Sequence, residues 1–446
     1  MSSPSSSSST GDDGGEIIRW AAYEEPSSSR QRANNDAWPE PFVETLAIVA
    51  ALDASRLGGR LASAAALANL FQVCSTWRVV SFSDYLWARL NQVVWGSTRR
   101  VHATWRDEYI YNHRTARNFR VGAAAYYLLS FNNSDADNDP DALTCRRLAL
   151  SERYLACGFG DGSVRLFDLQ THNHIHTFRS EHRYRLGRFS RAVSGIILGP
   201  DTIVFATLDG HVHTAPIDGP TGTHVVHSGN IVEDGALLDF AGCSTWWIGL
   251  FAGAPGRAFH VWDAATRVRT FVGGSLTDPE AVIGWRTLTH LTEFVGRVRV
   301  VPGREAAVAC TRSGLVTFDL RRGLIVGEEE QRRIVVGSFD VAGDTYLRVD
   351  ARGVASVRRV GDMGEVVRFN TRVAARRADV VGCRNWGYAL MWSGSMIRVY
   401  GIDQSGEFLY RLRQRVTEVN ALVADERRVA AAGGDSWVHL WDFGVL

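Results

Sequence analysis

The residues of this chain best equipped for chemistry are arginines gathered in connecting loops. Arg183, Arg185, Arg188 and Arg191 fall in one connection, Arg332 and Arg333 in a second, Arg372, Arg376 and Arg377 in a third, and Arg411, Arg413 and Arg415 in a fourth. A guanidinium offers a planar fork of donors that pairs two-on-two with carboxylate or phosphate, so such clusters suit an acidic or phosphorylated peptide. Formal net charge is only +1, so these loops polarise a chain that has no global bias toward nucleic acid. Glu328, Glu329, Glu330 and Glu418 lie close by in sequence and would neutralise the loops if they pair with them. Trp285 and Trp386 are either aromatic contacts for the same ligand or tryptophans of the core.

Catalytic constellations are missing. His172, His174 and His176 alternate and could point to one side of a strand, but no cysteine or carboxylate accompanies them as a metal set would require. There is no nucleophile elbow, phosphate loop or metalloprotease signature. The six cysteines show no CxxC spacing, which argues against a zinc framework or disulfide scaffold and for a reducing, intracellular setting. The expectation is a protein with no catalytic residue, metal or cofactor of its own, any chemistry belonging to its partners. No apolar run approaches the length of a membrane span, and the Ser-rich start lacks the basic and apolar regions of a signal peptide. A soluble protein that is neither secreted nor membrane-bound is expected.

What positions the arginine loops is a repeat. Seven segments combine a Gly-containing turn with an alternating apolar strand: Phe159 to Leu169, Thr207 to Ile217, Gly256 to Ala264, Thr311 to Leu320, Asp350 to Val360, Trp392 to Ile402 and Gly433 to Phe443. The turn glycines Gly162, Gly210, Gly256, Gly314, Gly353, Gly394 and Gly434 are 48, 46, 58, 39, 41 and 40 residues apart. That period matches the roughly 40 to 45 residues of a four-stranded propeller blade and excludes a helical solenoid. The fold class is therefore mainly β, a seven-bladed β-propeller of the WD-repeat kind over residues 125–446. At 45% hydrophobic residues and 43 glycines, the composition supplies both a large core and many tight turns. The seventh copy runs to the last residues without an outer strand, while an orphan strand pattern spans residues 125–131. Pairing the two would remove the open edges, so this strand is expected to close the ring.

Ahead of the repeat lie three other materials. Residues 1–36 are rich in Ser, Gly and Asp, a composition expected to stay disordered. Residues 37–95 carry apolar groups at helical spacing: Phe42, Leu46 and Val49, then Leu67, Leu70, Phe71, Cys74 and Trp77 after the Gly58-Gly59 break, then Leu86, Trp87 and Leu90 behind Ser83-Asp84. The spacing predicts three short amphipathic helices. So small a unit cannot bury all of its large apolar groups by itself. Residues 96–124 predict a linking helix, with Thr104 and Asp107 at capping-box spacing.

The run Pro39, Phe42, Leu46, then Val73-Cys74-Ser75-Thr76-Trp77-Arg78, then Leu86-Trp87 resembles an F-box, whose usual pattern is Leu-Pro, spaced aliphatics, Val-Cys-x-x-Trp and a closing Leu-Trp. Trp38 stands where that family has Leu, and the Ala-rich stretch from Leu61 to Ala68 lengthens the first connection. From residue 36 onward the chain resembles plant proteins that join an F-box to a propeller, through Trp38 to Phe42 (WPEPF), Thr104 to Arg120, Arg188 to Ile196, Gly256 to Asp263 and His439 to Leu446. The resemblance implies the substrate-recognition subunit of a Skp-cullin-F-box ubiquitin ligase. It would act in the nucleus or cytoplasm on transcriptional repressors of organ growth, of the PEAPOD type, and so on flower development. Carried over by position, Pro39, Phe42, Leu46, Leu67, Leu70, Val73, Cys74, Trp77 and Trp87 would face the Skp-type adaptor, which links to a cullin-RING core. The bland alternative is that these residues only fill the module's own core. A second class of function is a propeller scaffold that regulates transcription without ubiquitin transfer.

All 49 basic residues are arginine; there is no lysine. A ligase receptor without ε-amines would resist modifying itself, and G+C-rich coding explains the same bias equally well.

Overall fold

Seven four-stranded antiparallel sheets stand around one axis in the computed structural model of the chain. It describes residues 38–130, 143–180, 187, 190–219, 222–275, 295–301, 303–330, 333–371, 380–403, 405–434 and 437–445. The expected disordered tail, 1–36, lies outside these residues. Blades 1 to 6 cover 145–178, 193–227, 235–273, 296–330, 340–370 and 381–411; blade 7 covers 421–442. The first strand of each blade touches the first strands of its neighbours, making the inner ring.

Closure follows the expected route. Strand Ala125–Ser130 pairs antiparallel with Trp437–Asp442 as the outer strand of blade 7, with Tyr126 opposite Trp441 and Leu129 opposite Val438. Leu129 is buried among Leu155, Ala430 and Val438, and Tyr126 hydrogen-bonds through its hydroxyl to His439 Nδ1 at 2.8 Å. The ring is thus latched by two segments more than 300 residues apart in sequence.

Six of the seven repeat glycines lie in the turn joining second and third strands, and Gly314 opens the third strand of blade 4. Gly162 has φ 82°, and a Cβ there would meet the Arg191 carbonyl oxygen at 2.6 Å, so both conformation and space demand glycine. At the other end of the third strands, Asp168, Asp263, Asp319 and Asp442 tie down the following turn. Asp168 Oδ1 accepts from the amides of Gln170 and Thr171 at 2.7 and 2.9 Å, and Asp442 Oδ1 from that of Gly444 at 2.8 Å. Burial alone would raise the Asp442 carboxyl, but Arg427 and the Gly444 amide hold it below the usual carboxylate range.

The preceding module contains four α-helices rather than the three that the spacing predicts: α1 (Glu40–Gly58), α2 (Ala62–Phe71), α3 (Ser75–Val80) and α4 (Asp84–Leu90), the last running into a π turn, Asn91–Trp95. The run from Leu67 to Trp77 is cut because Cys74 is extended, φ −159°, and takes the N-cap position of α3; Val73 and Cys74 are weak helix formers, so the break costs little. A fifth helix, α5 (Trp105–Val121), starts where Thr104 Oγ1 accepts from the Asp107 amide at 3.1 Å and ends at left-handed Gly122.

Candidate functional site

Adjacent antiparallel strands run in opposite directions, so a propeller has two kinds of face. The seven glycine turns and the blade-to-blade connections share one; turns between first and second strands, and between third and fourth, share the other. The helical module sits on that second face, against blades 6 and 7. Phe119 of α5 is fully buried between Tyr388 and Phe443, with ring centroids 4.5 and 4.1 Å away. The Tyr388 hydroxyl donates to the Ala116 carbonyl at 3.1 Å, the Tyr410 hydroxyl to that of Phe119, and the Asn118 amide to that of Phe443 at 2.9 Å. Burial pushes the phenols of Tyr388 and Tyr410 up, which keeps them protonated as donors. Arg60 pairs with Glu426 at 2.7 Å and Arg120 with Glu407 at 3.0 Å.

The same helix is welded to the module. Tyr109 packs on Trp87 with centroids 5.1 Å apart and shares a 2.7 Å hydrogen bond with Ser63 Oγ. Burial raises its phenol to about 12. No glycine or proline interrupts α5, so module and propeller are coupled through one stiff strut.

The nine residues expected at an adaptor surface divide by burial. Leu67, Leu70 and Trp87 belong to the module's own core, with Val43, Ala47 and Leu86; Trp87 also donates its indole N–H to the Ser81 carbonyl at 2.7 Å. These three do not face outward, because a unit this small needs them to hold its helices together. Pro39 is exposed, Phe42 is 45% exposed and Val73 64%, while Leu46, Cys74 and Trp77 are half-buried. Trp38, itself half exposed, stacks on Phe42 at 4.7 Å. Phe82, on the turn before α4, and Tyr85, in the first turn of α4, are also exposed; Ser83 between them donates from Oγ to Glu44 Oε1 of α1 at 2.5 Å. The spacing did not single these two out, since they follow no helical period.

On the glycine face, Arg183, Arg185, Arg188, Arg332, Arg372, Arg376, Arg377 and Trp285 lie outside the described residues. Arg191 is half-buried; Arg333, Arg411, Arg413 and Arg415 are exposed. The loop bearing Arg413 and Arg415 is well anchored. Leu412, Val416 and Val419 are buried in the core shared by blades 6 and 7, and Trp392 and Trp441 donate to the Val416 carbonyl and Gln414 Oε1 at 2.9 and 2.8 Å. Of the nearby glutamates, Glu329 pairs with Arg348 and Arg358 of blade 5, at 3.3 and 2.7 Å, and not with this rim. Arg352, beside Gly353, is exposed on the same face, a contribution that the repeat turn itself encodes. Trp386 lies on the other face, its ring against Gly343, and so is no part of the basic rim. The histidines do not converge either. His172 turns out at φ 61° and stacks on Tyr127 at 3.7 Å, while His174 and His176 follow on the outer strand of blade 1.

These features define the class: a seven-bladed β-propeller carrying a helical module rigidly on one face. No family model matches the chain. It is 52% identical, over 454 aligned positions that span the whole of both chains, to the transcriptional regulator STERILE APETALA of Arabidopsis thaliana. The chain belongs to the STERILE APETALA family.

Proposed function

We propose that this protein is the substrate receptor of a Skp-cullin-F-box ubiquitin ligase. In this reading the exposed edge formed by Trp38, Pro39, Phe42 and Val73, with Leu46, Cys74 and Trp77 behind it, enters a groove of the Skp-type adaptor, which carries the cullin-RING core. Aromatic anchors at the centre of an interface supply most of its affinity. The arginine rim of the propeller takes an acidic or phosphorylated segment of a nuclear transcriptional repressor. The chain performs no catalysis; it holds the substrate at a fixed distance from the enzyme that does.

The observation that carries the reading is the placement of the two surfaces. An uncovered aromatic edge sits on a module locked to one face by Phe119, and exposed arginines with no carboxylate partner among the described residues sit on the opposite face. A pull-down of the adaptor by full-length protein, wild type against Phe42→Asp with Val73→Asp, tests it.

The name of the Arabidopsis relative, a transcriptional regulator, favours a second reading, in which the protein binds its target without ubiquitin transfer. Under that reading the same double substitution leaves the target's abundance unchanged; under the ligase reading the target accumulates.

A further inference from the structure

The inner ring of the propeller gathers arginines around a cavity. A cavity of about 650 Å³ opens where first and second strands turn, on the face that bears the module, and Arg147, Arg297, Arg299 and Arg384 line it together with Asp239 and Asp340. Four guanidiniums thus meet two carboxylates among the described residues. The carboxylates are already engaged. Asp239 accepts from Arg147 Nε at 3.0 Å, and from Arg299 and the Val298 amide, both at 2.9 Å. Asp340 accepts from Arg299 Nε at 3.2 Å and from the Arg384 amide at 2.9 Å.

Arg384 is buried, and its guanidinium donates to two neutral oxygens, the Asn385 carbonyl at 3.2 Å and Thr345 Oγ1 at 2.8 Å, while Asp340, Glu426, Asp344 and Asp403 act on it through their charge. Arg297, also buried, donates to the carbonyls of Gly337 and Phe339, both at 3.1 Å. Burial pushes Arg384 down to about 10 and Arg297 down to about 9, with Arg299 adding to the latter shift. Cations taken out of water are costly unless an anion accompanies them. The cavity's volume is that of a small-molecule site.

We propose that this cavity binds a small, multiply charged anion bearing phosphate groups, held by Arg299 and Arg384. A phosphate oxyanion can accept from two guanidiniums at once. Binding here is independent of the arginine rim, which lies on the opposite face.

Isothermal titration of full-length protein with pyrophosphate tests this, with citrate as a carboxylate of comparable charge. The expected result is one pyrophosphate per chain, weakened about tenfold or more by Arg299→Gln or Arg384→Gln, since each removes a charge-assisted contact. Arg304→Gln, which alters an exposed pair with Asp344 on the same face, leaves it unchanged. Asp340→Asn removes a competing negative charge and tightens binding, a change that a merely damaged fold would not produce. Absence of binding overturns the proposal, as does equal loss in Arg304→Gln or weakening in Asp340→Asn. Equal affinity for citrate overturns the assignment to phosphate.

Discussion

Phe119, near the end of the strut helix, stacks on Phe443, three residues from the end of the chain, with ring centroids 4.1 Å apart and planes 22° apart. This contact joins the helical module to the last turn of blade 7, the blade that is itself closed by the strand following the helix. Ring closure and module docking are therefore physically one event. Phe119→Ala should lower stability by about 3 to 5 kcal/mol through loss of buried area and the cavity it leaves. Urea denaturation gives the energy, and small-angle scattering should show the module swinging away from the propeller.

The latch strand offers a second test. Leu129 is buried at the junction of blades 7 and 1, so Leu129→Ala should cost about 2 to 5 kcal/mol. Amide exchange should rise in Ala125–Ser130 and its partner Trp437–Asp442 before it rises in blades 3 to 5.

Acid should weaken blade 3 through one histidine. His260 is buried against Phe251, at a centroid distance of 4.1 Å, and burial, together with Arg269 and Arg257, pushes it down to about 4 even though Asp234 pulls it up. The unfolded chain takes up this proton below about 6.5 and the folded chain does not. Stability is then complete above pH 6.5 and falls as the pH drops toward 4, by about 2 kcal/mol. Replacing His260 with Phe should flatten this part of the stability–pH curve. An unchanged slope, measured by denaturant titration at several pH values, would show that the ring is already charged in the folded state.

The rim arginines should act together. Arg333→Ala, Arg413→Ala and Arg415→Ala combined should weaken binding of an acidic or phosphorylated substrate peptide by about tenfold at low salt, because each exposed pair contributes on the order of 0.5 to 1 kcal/mol. Fluorescence anisotropy should show the difference shrinking as salt is added. Thermal stability should not move, since none of the three is buried.

Much of this was legible in the chain because blades are local. Each glycine turn and each Phe-Asp or Trp-Asp strand end is specified within a dozen residues, so period and turn chemistry identify seven sheets and the latch. The surfaces were less legible. Leu67, Leu70 and Trp87 share a helical face with residues that turn out to be exposed, and only the arrival of Tyr109 from a distant helix decides which of them are covered. Trp386 and Arg352 occupy turns of the same general kind, but the parity of the strand before each turn puts them on opposite faces. The cluster of guanidiniums in the channel could not be read at all, because it gathers residues from three blades that are far apart in sequence.

Adaptor binding by the full-length protein bears most directly on the account. Purified protein titrated with a Skp-type adaptor should form a one-to-one complex, and Phe42→Asp with Val73→Asp, both at exposed sites, should weaken it at least a hundredfold while leaving the melting temperature unchanged. If wild type shows no affinity, or if the double substitution binds as well as wild type, the aromatic edge is not a docking surface and the receptor reading fails.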